Sequence, residues 1–242
     1  MKIIDIIRKI MSRLITPNTC SNEAFVNYLK KHGMKIGKHT RFIYPKKCHV
    51  DIHRAEYIEI GDNCCLVQIK MLAHDYSWYI LNEKYNDMLP DPGGKITIGN
   101  NCFIGYDSLI LKNTTIGNNV IIGARSVVKG NIPSNTVWAG VPAKQICTLD
   151  EYYKKLKNKE EESLIYRKRV LDERENYKME DYGFFMLYFI ERTEENYNKY
   201  IKNIEFNGEK NTDIVRNYFF STVPKYKNYE DFIKNQNDVN NN

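Results

Sequence analysis

Aliphatic side chains recur at every sixth position over much of this 242-residue chain, and that period restricts the fold more than any other feature. Ile98, Ile104, Ile110, Ile116, Ile122 and Val128 keep the beat without a gap. Four residues after each stand Cys102, Ser108, Thr114, Val120, Ser126 and Ile132, most of them small, and Gly99, Gly105, Gly117 and Gly123 follow four of the six anchors. The same register runs earlier through Ile36, Phe42 and Cys48, fails at Arg54, and returns at Ile60, Leu66 and Leu72. A period of six suits neither an amphipathic helix nor a long alternating strand. It suits short strands separated by corners, with an aliphatic residue inside each strand and glycine easing the turns. Three such units make a triangular coil of 18 residues, and stacked coils bury continuous apolar columns. Cys48, Cys64 and Cys102 fall at inward positions and are read as core.

Between Leu72 and Ile98 the beat is interrupted by "AHDYSWYILNEKYNDMLPDPGGKIT". The register resumes beyond it, so residues 75–95 are expected to form a loop thrown out from an intact prism. His74 stands at its root, two residues after the anchor Leu72. Four other histidines, at 32, 39, 49 and 53, have no such position. The loop supplies Tyr76, Trp78, Tyr79 and Tyr85, whose rings suit stacking against a sugar or pinning the loop to a neighbour.

The repeat resembles the left-handed parallel β-helix of the hexapeptide-repeat acyltransferases. The segment "KITIGNNCFIGYDSLILKNTTIGNNVIIGARSVVKGNIPSNTVWAGVPAKQI" (residues 95–146) is similar to the end of that domain in maltose, galactoside and polysaccharide O-acetyltransferases. The "AGVPAK" close is the strongest single mark, and the likeness covers residues 36–146. It implies the handedness, which the spacing does not. It also implies that His74 is the general base, that acetyl-CoA is the co-substrate, and that three chains pack as a homotrimer with the active site between two of them. Positions that meet the donor in the family map onto Phe103, Gly105, Ala124, Lys129 and Lys144, and a backbone N–H near Gly105 or Tyr106 is the implied oxyanion donor. Phe103 stands where the sugar acetyltransferases often carry Trp, and Arg125 replaces a usual glycine.

Imidazole suits the chemistry, because it accepts a hydroxyl proton near neutrality and can return it to a departing thiolate. The carboxylate that orients it is open among Asp75, Glu83, Asp87 and Asp91. Asp75, Tyr76, Trp78 and Tyr85 are the candidate acceptor contacts. A zinc site through His49, His53 and His74, as in the related γ-class carbonic anhydrases, lacks the ligand spacing, and no metal is expected.

Flanking segments complete the expected organisation: an N-terminal helical cap over residues 1–33, the β-helix over 34–147, and an α-helical extension over 148–242. Ile3, Ile7, Ile10 and Leu14 mark one amphipathic helix, which suits a cap on the open coil or a basic membrane-surface helix. Ser21, Glu23 and Ala24 start a second helix that Gly33 ends. Residues 149–179 read as charged helix, "EDYGFFMLYFIERTEENYNKYIKN" as a further helix with an aromatic face, and "NQNDVNNN" as a frayed end. The longest apolar run, "GFFMLYFI", is far short of a membrane span. Six cysteines without a CxxC pair fit a reducing cytoplasm. Net charge is +6, gathered in residues 1–149, and no nucleic-acid motif accompanies it. The expected function is acetyl transfer to a saccharide hydroxyl, in surface-polysaccharide synthesis. The alternatives are N-acetylation of an amino sugar, acetylation of an antibiotic, and a non-catalytic scaffold whose tail recruits partners.

Overall fold

The computed structural model describes residues 11, 14–174, 176, 178–202, 205–206, 209–210 and 213–239. It divides into two compact units, residues 1–153 and 154–242. The first unit is a parallel β-helix.

Its first coil holds β1 (Lys35–Ile36), β2 (Arg41–Ile43) and β3 (His49–Val50), and its second β4 (Ile58–Ile60), β5 (Cys65–Val67) and β6 (Lys70–Leu72). The third holds β7 (Ile96–Ile98), β8 (Phe103–Ile104) and the start of β9 (Leu109–Ile116). The fourth runs from the end of β9 through β10 (Ile121–Ile122) into β11 (Val127–Ile132). Parallel pairing stacks the anchors into three columns, one for each side of the prism. Ile36, Ile60, Ile98, Ile116 and Ile132 are in register on the first side. Phe42, Leu66, Ile104, Ile122 and Trp138 are in register on the second. Val50, Met71, Ile110 and Val128 are in register on the third. An antiparallel pair, β12 (Thr136–Gly140) with β13 (Ala143–Thr148), closes the stack through the "AGVPAK" segment.

Burial explains why the period is kept. Nine of the anchors, from Phe42 to Val128, are almost wholly enclosed, and enclosing an aliphatic side chain of this size contributes about 1.5–3 kcal/mol. The residues two positions before these anchors, most of them small, are enclosed as well, and hydroxyls among them are satisfied: Ser108 Oγ donates to the Gly123 carbonyl at 3.0 Å and Thr114 Oγ1 to the Leu111 carbonyl at 2.6 Å. Cys64 and Cys102 are buried, and Cys48 packs half-buried against the same core. One row of corners is built by Asn63, Asn101, Asn119 and Asn135, all left-handed, the conformation that asparagine tolerates best among residues with a Cβ. Their side chains form a ladder, Asn101 Nδ2 to Asn119 Oδ1 at 2.7 Å and Asn119 Nδ2 to Asn135 Oδ1 at 3.0 Å.

Two of the expected anchors are displaced. Leu72 is 44 % exposed, and its neighbours Met71 and Ala73 are enclosed instead. The corner before β6 is one residue short: Gln68 turns left-handed two positions after Leu66, whereas Asp107 and Arg125 do so three positions after Ile104 and Ile122. In the first coil, a 3-10 turn at Pro45–Lys47 delays the strand, so Val50 takes the column position expected for Cys48.

Helix α1 (Asn22–Lys31) lies before the first coil. Ser21 caps it by accepting from the Ala24 amide at 3.1 Å, and Gly33 leaves it with φ of +101°. The helix expected around Ile3, Ile7 and Ile10 lies outside the described residues. Inside the interrupted segment, where a loop is expected, the chain forms α2 (Ser77–Tyr85).

The C-terminal unit is helical for most of its length, with α3 (Leu149–Asn158) entering it, then α4 (Glu160–Asp172), α5 (Asp213–Ser221) and α6 (Tyr229–Val239). The single aromatic helix expected from Glu180 to Asn203 does not form. Gly183 takes φ of 57° and ψ of −132° inside a 3-10 turn, Met179–Tyr188, which breaks the chain's course. Of the end expected to fray, residues 235–239 belong to a helix and residues 240–242 lie outside the described residues. Among the described residues no helix is long and apolar enough to cross a membrane.

Candidate active site

The corner between the third and first sides carries an excursion in both of the first two coils. In the first coil β3 runs into a 3-10 turn, Ile52–Tyr57; in the second, β6 runs into the long insertion. The β3–β6 register sets Val50 beside Met71 and so brings the two exits together. Asp51 heads the first excursion and His74 the second, and His74 Nδ1 is hydrogen-bonded to Asp51 Oδ2. The same oxygen accepts from the Ala73 amide at 3.1 Å. The Asp51 side chain is 2 % exposed and that of His74 12 %. An ionised carboxylate only accepts, so this contact puts the ring proton on Nδ1 and leaves Nε2 with a lone pair.

Asp51 stands outside the set of Asp75, Glu83, Asp87 and Asp91 that the sequence offers. The failed beat at Arg54 was the available signal: it marks a coil that leaves the prism at the same corner as the insertion, and Asp51 is the acidic residue at that exit. Those four carboxylates are engaged elsewhere or exposed. Asp75 pairs with Lys112 and accepts from the Ser77 amide at 2.9 Å. Asp91 accepts from Arg54 Nη2 at 2.6 Å, Asp87 accepts from the Met88 amide at 2.7 Å, and Glu83 is exposed.

These contacts also fix the insertion. Lys112, one coil further on, holds Asp75 at its start and donates to the Pro92 carbonyl at its end, at 2.5 Å. The Lys112 hydrogen bond, reinforced by those from Ser77, holds the Asp75 carboxyl well below the usual carboxylate range. Arg54 pins the far part of the segment through Asp91. Tyr76 is exposed and sets its ring edge-on to His74, with centroids 5.0 Å apart. Trp78 is half-buried, and its Nε1 is enclosed without a hydrogen-bond partner. Tyr79 and Tyr85 are exposed on α2.

The residues mapped to the acyl donor gather elsewhere. Phe103, Gly105 and Ala124 belong to the corner between the second and third sides in successive coils. Coils approach there so closely that a Cβ on Gly105 would lie 2.5 Å from the Ala124 amide nitrogen and 2.7 Å from the Ile122 carbonyl oxygen. Gly105 gives its own N–H to that carbonyl at 2.8 Å. Phe103 and Ala124 are exposed. Lys144 lies on β13 opposite Ala139, and Lys129 follows Val128 on the third side; both are exposed. Arg125 is largely exposed in the left-handed conformation that a glycine would take without strain, and Asp107, beside it, pairs with Lys70 at 2.5 Å. The corner of Phe103, Gly105 and Ala124 and the His74 corner are thus different edges of one prism. Among the described residues no group of three His, Cys, Asp or Glu side chains is placed to hold a metal ion.

The family model for the bacterial transferase hexapeptide (six repeats) matches residues 95–130. Protein CapG of Staphylococcus aureus is 35% identical over 135 residues, which is 53% of this chain and 73% of that protein. Among solved structures, a maltose O-acetyltransferase from Clostridium difficile 630 is 28% identical with a TM-score of 0.38, over 52% of this chain and 75% of that one. A galactoside acetyltransferase in complex with coenzyme A is 26% identical with a TM-score of 0.41, over 55% and 73%. A hexapeptide-repeat acetyltransferase from Vibrio cholerae is 18% identical with a TM-score of 0.43, over 62% and 94%.

Proposed function

The chain belongs to the bacterial hexapeptide-repeat acyltransferase family, and from that premise we propose that it transfers an acetyl group from acetyl-CoA to a hydroxyl of a saccharide. In this reading His74 is the general base and Asp51 orients it. The observation that carries the reading is the His74–Asp51 contact at the root of the insertion.

A sugar hydroxyl is a poor nucleophile until its proton is removed. His74 takes that proton at Nε2 as the hydroxyl oxygen attacks the acetyl carbonyl. Asp51, enclosed against the ring, stabilises the imidazolium that results and keeps the ring from turning. Acetyl-CoA supplies an activated carbonyl and a good thiol leaving group, so no covalent enzyme intermediate is needed. When the C–S bond breaks, His74 returns its proton to the departing thiolate.

The donor-side residues fit an acyl-CoA in chemical type. Phe103 offers an exposed apolar ring, and Lys129, Lys144 and Arg125 are exposed cations for its phosphates. Their separation from His74 on the prism is answered by a homotrimer, in which the donor edge of one subunit faces the His74 edge of the next. Tyr76, set against the base, and Trp78 and Tyr85 on α2 give the acceptor side aromatic surfaces that favour a sugar ring.

Release of CoA, followed with neutral sugars and amino sugars side by side, tests the reading. Transfer to neutral sugars by the parent and its loss in His74→Ala are expected. Unchanged transfer by that variant removes the mechanism, and preference for the amine of amino sugars moves the assignment to N-acetylation. Light scattering on the eluting protein checks for three chains.

A further inference from the structure

The C-terminal unit contains a cavity of about 760 Å³ built only from its own residues, within the size range of small-molecule sites. Phe184 and Tyr218, 42 % and 55 % exposed, give it aromatic surface, with Tyr188 half-buried between helix and turn. Glu160 supplies a half-buried carboxylate. Lys157 Nζ donates to both of its oxygens, at 2.7 and 2.9 Å, and the Tyr188 hydroxyl donates to one. Burial opposes charge on Glu160, but the hydrogen bonds from Lys157 and Tyr188 outweigh it and lower its pKa.

The N–H groups of the cations around the cavity are engaged by acceptors of the same unit. Lys157 faces Glu160, and Lys225 pairs with Glu161 at 3.1 Å. Arg192 donates to the Ile190 and Leu187 carbonyls, each at 2.6 Å, and lies over the Phe219 ring. A cavity built to draw in an anion would hold positive charge uncommitted. This one offers ring faces beside a fixed carboxylate that has accepting capacity left. Ring faces take the C–H face of a sugar, and the carboxylate takes its hydroxyls.

We propose that this cavity is a second saccharide site, for a neutral, hydroxyl-rich oligosaccharide, held by the C-terminal unit independently of His74. The choice of sugar rests on the reaction proposed above, but the site is tested by binding and not by turnover. Calorimetric titration of the full-length protein with maltotriose, tri-N-acetylchitotriose, trigalacturonate and dodecyl phosphate separates the ligand classes. Saturable binding of a neutral trisaccharide is expected, weakened at least tenfold in Tyr218→Ala and in Glu160→Gln and retained in His74→Ala. Val223→Arg, at a lining position 88 % exposed and therefore harmless to folding, is expected to block binding while circular dichroism stays parental. CoA release with a monosaccharide acceptor is expected to be unchanged in all three cavity variants. Failure of every neutral trisaccharide to bind overturns the proposal. So does binding of trigalacturonate or dodecyl phosphate alone, or binding that the cavity variants do not weaken. Oligosaccharide binding by a protein that acetylates no sugar would remove the proposed reaction and leave this site standing.

Discussion

At the scale of single residues, the site turns on which carboxylate meets the imidazole. Asp51 reaches His74 from 23 residues upstream, through the stacking of two coils, while Asp75, its sequence neighbour, is turned away to Lys112. His74→Ala is expected to lower kcat by about 10²–10⁴. Asp51→Asn replaces an acceptor by a group that can donate to Nδ1 and favour the wrong tautomer, an effect that reaches about 10⁴ elsewhere. Its kcat is therefore expected to fall with little change in the KM for the donor, and Asp75→Asn to leave kcat near the parental value. Steady-state kinetics at saturating donor distinguishes the two. Asp75 has its own signature. Its folded-state pKa is depressed, so the stability it contributes is present above the ordinary aspartate value of about 3.9 and is lost only as pH falls through the lower folded value. Carboxyl NMR shifts should show Asp75 still ionised where a free aspartate titrates, and Lys112→Met should return its midpoint towards the ordinary range.

At the scale of elements, the coil depends on backbones that nearly touch. Gly105→Ala would push a methyl group into the Ala124 amide and the Ile122 carbonyl, both backbone and unable to step aside. Overpacking of this kind costs about 1–3 kcal/mol, visible as a lowered Tm, whereas Gly130→Ala meets nothing within 4 Å and suffers only the strain of φ at +85°. The columns from Ile98 to Val128 were legible because each coil there has 18 residues, and an aliphatic residue placed outward would lose its burial. Met71 and Val50 were not legible. One corner is a residue short and another carries a 3-10 turn, and counting by six steps past both. The helix α2 was hidden for a different reason. Its residues show little segregation of apolar from polar, none is fully buried, and its start is set by Asp75 on Ser77, a contact without periodic signal. Handedness and the donor residues came from family likeness alone, since neither leaves a mark in spacing.

At the scale of the whole molecule, the described residues form two separate cores. One runs from Phe25 and Leu29 on α1 through the stacked anchors to Ile132, and the other joins Leu164, Leu171, Tyr182, Phe189, Tyr197, Phe219 and Phe232 around the C-terminal helices. A core made of regular, in-register columns and one made of packed aromatic rings lose structure through different contacts, so heating is expected to give two transitions rather than one. Leu171 tests this, because it is fully enclosed and belongs to the second core only. Leu171→Ala should cost about 2–5 kcal/mol through lost burial and the cavity left behind. In differential scanning calorimetry only one transition should move. At a temperature below both transitions, CoA release with a monosaccharide acceptor should persist, since His74, Asp51 and the donor-side residues all belong to the β-helix. A single transition that shifts as a whole would mean that the two cores unfold as one cooperative block. The C-terminal unit would then support the stability of the catalytic prism as well as any ligand it holds.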